Sequence, residues 1–280
     1  MENRMQIGSE AHKELFCRSF IMTHREYDPE KLPWPRLDGP TLERLQGLPF
    51  WGEAITTEME AGAKIRAYAA EVRDPLLREA IALQAAEELR HATLIETLIA
   101  RYDIRATERR AARLPTNPEQ DFVDIGYGEC IDSFFAFGLF EVARQSGFFP
   151  KLLLDVVEPI VDEEARHIVF FVNWEAYHQS QRGRGLKILR ATRALRHYSR
   201  AIRLRLGAFH SAEGAGFTAS GSNSIAVNLT AETFLSICLR ENAQRLAGFD
   251  RKLLRPWLVP TMASLALRSL RLFRRRTAGR

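Results

Sequence analysis

Cysteine is scarce. Cys17, Cys130 and Cys238 are odd in number and far apart, which excludes a disulfide framework and leaves no Cys-x-x-Cys spacing for a zinc or redox site. The expectation that follows is a reducing, cytoplasmic setting. Long apolar runs are missing as well, so no helix able to span a bilayer is expected. Met1 to Glu10 is polar and mixed in charge, with no apolar secretory region behind it. Acid is missing from two segments: residues 181–210 and 251–280 each carry nine Lys/Arg and no Asp or Glu. The net charge of +5 therefore hides an acidic body followed by two basic stretches. Such asymmetry bears on partners, not on fold.

What the chain does have is apolar residues, 46% of 280, enough for one large domain with extensions. Its periodicity is helical, and three parts follow. Residues 1–48 read as a short helix (about Ser9 to Thr23) and an arm. The arm runs from Tyr27 through Pro33-Trp34-Pro35 to Gly39-Pro40, too rich in proline for helix, and should lie extended, pinned by Trp34. Residues 49–178 read as two helical hairpins. The first pairs Pro49–Arg73 with a helix from Pro75 to about Tyr102. A polar crossover over 103–120 leads to the second, Asp121–Ser146 and Pro150–His178. A connection that long is expected when the second and third helices run the same way. Residues 179–280 read as a basic helical extension: a helix over 186–206, a Gly/Ser-rich loop over 211–224, and helices over 230–246 and 262–276, with Pro256 and Pro260 interrupting the chain.

One pentapeptide occurs twice, as Glu87-Glu88-Leu89-Arg90-His91 and Glu163-Glu164-Ala165-Arg166-His167. Each copy holds a Glu-x-x-His unit, Glu88 with His91 and Glu164 with His167. Three residues is close to one helical turn, so each unit presents an oxygen and a nitrogen donor on one face. In carboxylate-bridged four-helix sites, two helices supply such units and the other two supply one carboxylate each. Glu58 interrupts the apolar stripe Trp51, Ile55, Gly62, Ile65, Ala69, Val72, where an unpaired carboxylate would cost several kcal/mol. It lies about as far before the Asp74-Pro75 turn as Glu88 lies after it. On the third helix the matching level falls between Glu129 and Asp132. Glu129 is preferred for its longer reach, while Glu141 is too near the turn. Metal-bound imidazoles usually donate their outer N–H to another carboxylate or carbonyl. Asp162 and Glu87 are candidates for that role, with Arg90 and Arg166 beside them. No signal ties His12 or His24 to the site.

Carboxylate and imidazole donors without thiolate favour iron or manganese over zinc. Glu88 and Glu164 would bridge two Fe ions, Glu58 and Glu129 (or Asp132) would be terminal, and a mixed Mn/Fe pair is a further option. Two ferrous ions held close can pass two electrons together to O2. The paired pentapeptides, each preceded by a carboxylate some 30 to 35 residues upstream, resemble the ferritin-like diiron-carboxylate superfamily, and most nearly its desaturases and arylamine N-oxygenases. The resemblance covers residues 49–178. It implies an all-α, ferritin-like four-helix bundle and a non-haem diiron monooxygenase, oxidase or desaturase with Glu58, Glu88, His91, Glu164 and His167 as ligands and Glu129 or Asp132 as the sixth. The chain departs from the N-oxygenases at Ile160, where they carry an extra His. Implied partners are a small-molecule or carrier-protein-bound substrate, an electron donor such as a ferredoxin or reductase, and a second copy in a homodimer. The basic segments suit an acidic carrier protein, tRNA or an anionic membrane surface. Alternative functions are a ferroxidase or storage protein and a tRNA-modifying diiron hydroxylase.

Overall fold

The structure, a computed structural model, describes residues 5–106, 115, 117–210 and 229–278. Among these residues no strand occurs, so the chain is all-α as expected. The helices are α1 (Glu10–Met22), α2 (Gly39–Gln46), α3 (Trp51–Glu71), α4 (Pro75–Arg101), α5 (Pro118–Ser146), α6 (Lys151–Gln181), α7 (Lys187–His210), α8 (Ala231–Ala247) and α9 (Leu258–Ala278), plus one 3-10 turn at Pro29–Lys31.

The ends follow from local chemistry. The Asp74 carboxylate accepts the Leu77 N–H at 3.0 Å, capping α4 with Pro75 in its first turn. Asn117 accepts the Gln120 N–H at 3.1 Å, capping α5 with Pro118 in its first turn, three residues earlier than the sequence suggests. Gly147 ends α5 in the left-handed region at φ 63°, which a glycine adopts without steric cost.

Two expectations built on proline are corrected. The arm is not extended throughout, because a helix starts at Gly39, capped by Asp38 through the Thr41 N–H at 2.8 Å. Pro260 does not interrupt the last helix, which already begins at Leu258. In both cases the proline sits in a first turn, where its missing N–H would have had no helical partner. The crossover is described only in part, and the expected loop over 211–224 lies outside the described residues.

The four long helices α3 to α6 pack together around two apolar regions. In one, Tyr68 near the end of α3 stacks on Phe122 near the start of α5, and both rings meet Trp174 near the end of α6. In the other, Trp51 and Ile55 of α3 join Leu98 of α4, Val142 of α5 and Leu153 of α6. Helices α3 and α6 therefore run one way, and α4 and α5 the other. Gly126 permits α5 to approach α6, since a Cβ there would fall 2.1 Å from the Phe171 ring. Between the two apolar regions the helices turn polar side chains inward.

The N-terminal segment crosses this polar layer. Helix α1 lies on α6 through the ring pair Phe16–Phe170. Lys13 then reaches the α4 cap, Nζ to Asp74 at 2.5 Å. Trp34 pins the arm as expected, its Nε1 donating to the Pro29 carbonyl at 2.8 Å and its ring against Tyr102.

Candidate metal centre

Glu58 on α3, Glu88 and His91 on α4, Glu129 on α5, and Glu164 and His167 on α6 meet in the polar layer. His91 Nδ1 lies 3.5 Å from Glu58 Oε2, 3.7 Å from Glu88 Oε2 and 3.6 Å from Glu164 Oε1. His167 Nδ1 lies 3.0 Å from Glu88 Oε1 and 3.8 Å from Glu164 Oε1. Glu88 thus turns one oxygen toward each imidazole, and Glu164 Oε1 stands near both. In the centre, donor atoms close enough to share an ion form one group of Glu58, Glu88, His91 and Glu164 and another of Glu88, Glu129 and His167, while His24, Glu87 and Glu163 make a third group outside these two. Glu88 belongs to both central groups. Asp132 belongs to neither, although it lies only one turn from Glu129.

The outer imidazole nitrogens explain the rest of the repeated motif. His167 Nε2 is 2.9 Å from Glu87 Oε2, and His91 Nε2 is 2.9 Å from Glu163 Oε2. Arg166 donates to Glu87 Oε1 and Arg90 to Glu163 Oε1, both at 2.6 Å. The pentapeptides therefore interlock. The first Glu of each copy takes the His and Arg of the other, and the second Glu faces the centre. With both Nε2 atoms held by carboxylates, both Nδ1 atoms point inward.

Asp162 does not join this ring. It pairs with Arg245 at 2.8 Å and Arg25 at 3.7 Å. Two positions before Glu164 on a helix, it must face away from the ligand side. Sequence reasoning missed four contributors. His24 Nδ1 lies 2.5 Å from Glu87 Oε1, and Tyr27 donates to Glu163 Oε2 at 3.3 Å while its ring carries the Arg90 guanidinium. Both belong to the chain after α1, so only tertiary packing brings them here. Ser133 donates to Glu164 Oε2 at 3.1 Å and Gln84 to Glu129 Oε2 at 3.4 Å. These two had a signal: Ser133 is one turn after Glu129 and Gln84 one turn before Glu88. His12, His178 and His197 serve elsewhere, on Asn173, Trp174 and Tyr127 respectively. Phe134 and Phe137 are core residues.

No known family, curated protein or solved structure matches the chain. The donor set itself must say what the site holds.

Charge decides the matter. Glu58, Glu88, Glu129 and Glu164 would contribute four negative charges to a buried space, while Glu87 and Glu163 are already balanced by Arg166 and Arg90. Burial pushes the Glu58, Glu129 and Glu164 carboxyls up, and the charge on Glu88 adds to the push. Burial also raises Glu88, but His167 and His91 outweigh it and hold this group well below the usual carboxylate range. For the imidazoles burial works downward, yet the facing carboxylates keep both well above the ordinary histidine value. Without a cation the cluster must take up protons. Even so, His91 Nδ1, His167 Nδ1, Glu88 Oε1 and Glu129 Oε1 are buried and make no well-aligned hydrogen bond, the 3.0 Å approach of His167 Nδ1 to Glu88 Oε1 being a contact of charges only. Orphaned buried polar atoms are costly. Two divalent cations would neutralise four carboxylates and use all four orphaned atoms, so the residues present fit a dinuclear metal ion site.

Proposed function

We propose that the chain is a non-haem diiron oxidoreductase that uses O2 to hydroxylate, N-oxidise or desaturate an organic substrate, with α3 to α6 as a ferritin-like four-helix bundle. The observation that carries this reading is the pair of inward, orphaned Nδ1 atoms with Glu88 set between them. The opposed directions of α3/α6 and α4/α5 support the bundle, because they bring a carboxylate from each outer hairpin helix level with the two Glu-x-x-His units.

Glu58, Glu88, His91 and Glu164 would hold one ion, and Glu88, Glu129 and His167 the other. When bound, an iron pair supplies two electrons together to dioxygen. The surrounding residues do the rest. Glu87 and Glu163 fix the imidazole planes and keep the outer N–H protons in place. Arg90 and Arg166 balance the charge of those carboxylates at 2.6 Å; Glu87 is held down at about 2, its burial outweighed by His167 and Arg166. The apolar regions above and below exclude water. Hydroxylation by O2 consumes two electrons and two protons and releases one water, so an external electron donor is part of the proposal.

The test is anaerobic loading with ferrous iron followed by an O2 pulse, read by metal analysis and Mössbauer spectroscopy. Two irons per chain converting to a spin-coupled ferric pair is the expected result. A stoichiometry well below two, or iron that O2 leaves unchanged, overturns the reading.

A further inference from the structure

Helix α9 is placed on the body of the protein by one side only. Val259, Ala263 and Leu267 recur every four residues and are buried. On that same side Arg271 reaches α8, Nε to Glu232 Oε1 and Nη2 to Ser236 Oγ, both at 3.2 Å. At about 100° per residue, Met262, Leu265, Ser269 and Leu272 share the opposite side. Solvent-facing residues there should be polar, yet Met262 is 47% exposed, Leu265 56% and Leu272 60%. Trp257, just before the helix, is 56% exposed. Arg268 is exposed beside the stripe; Arg274 turns back to Glu232 at 3.2 Å, and Arg275 and Arg276 follow it in the sequence.

We propose that this outer face lies on an anionic membrane surface. Each candidate occupant must match both chemistries, an apolar stripe and a dense positive charge with no acid from residue 251 to 280. A second copy would match the stripe but would bring its own nine basic residues against these. Nucleic acid would match the charge but offers a helix face of Leu and Met nothing apolar to bury against. An acidic bilayer supplies both: acyl chains at shallow depth for the stripe and headgroups for the arginines. Trp257 stands where an interfacial aromatic belongs. No helix among the described residues is long and apolar enough to cross a membrane, so the geometry is that of a helix lying in the interface plane. This assignment stands apart from the metal centre and does not depend on what the centre does.

The experiment is co-sedimentation of the full chain with phosphatidylcholine vesicles, with and without phosphatidylserine, across salt concentrations. Retention is expected on the phosphatidylserine vesicles only. Leu265→Glu with Leu272→Glu should abolish it, and Arg268→Gln should weaken it about fivefold. All three positions are exposed, so unchanged circular dichroism should certify the fold of each variant. A blue shift of tryptophan emission on vesicle addition, absent in Trp257→Phe, is expected as well. Three outcomes overturn the proposal: no retention, retention untouched by the double leucine variant, or retention fully reversed by modest salt. The last two would describe adsorption by charge alone, as with tRNA or an acidic protein.

Discussion

Glu87 and Glu163 stand next to residues that face the centre, yet each has its own task. Each holds the outer nitrogen of an imidazole from the opposite motif at 2.9 Å and is itself held by that motif's arginine. Replacing either carboxylate by an amide removes a charge and leaves one oxygen to accept from two donors, the imidazole and the guanidinium. Glu163→Gln is expected to weaken metal binding by about 10- to 100-fold, as substitutions behind metal-bound histidines do. Competition with a chromophoric chelator measures this directly. Glu129 and Asp132 separate by the same logic. Glu129→Ala should lower the metal content from two ions to one, whereas Asp132→Ala should retain both, as read by elemental analysis of the purified chain. Loss of an ion in Asp132→Ala with none in Glu129→Ala would reverse the assignment.

Among the elements, the junction of α1 with the start of α4 has the clearest pH dependence. Asp74 caps α4 through the Leu77 N–H and pairs with Lys13. Burial acts to raise its pKa, but Lys13 and the capping N–H outweigh this, and the carboxyl sits below its ordinary value. A depressed carboxyl stabilises the fold above the unfolded-state pKa of about 3.9 and loses that contribution as pH falls through the folded value. Asp74→Ala should cost about 1 kcal/mol near neutral pH from the cap alone. The gap from the unsubstituted chain should close as pH drops below about 4. Urea denaturation at several pH values checks both claims, and a gap that persists in acid would refute the linkage. Here the sequence was read correctly: Asp-Pro before an apolar helical period is a start signal. Pro40 and Pro260 misled because a proline alone does not say whether it stands inside a helix or in its first turn.

For the molecule as a whole, the consequence is a fold that accommodates its own charge best when cations are bound. Four buried carboxylates must otherwise be protonated or left repelling one another, at a cost in stability. Removing metal with a chelator should lower the melting temperature, and restoring ferrous or manganous ion should raise it. At a hundredfold excess over the dissociation constant the gain is about 2.7 kcal/mol. Differential scanning calorimetry of the stripped and reloaded chain measures it; identical transitions would mean that the cluster is not a metal site.

The long helices, their order and five of the residues that meet in the centre were legible in the sequence, because helical period, capping and the Glu-x-x-His spacing are local properties. The choice of Glu129 over Asp132 was not, since α5 is apolar on nearly every side and its phase cannot be read from a stripe. His24 and Tyr27 were invisible for a different reason: they reach Glu87 and Glu163 across more than sixty positions of chain, through the packing of α1. The crossed pairing of the two pentapeptides is likewise a property of the fold alone. A sequence shows that the motif is repeated; only the juxtaposition of α4 and α6 decides that each copy completes the other.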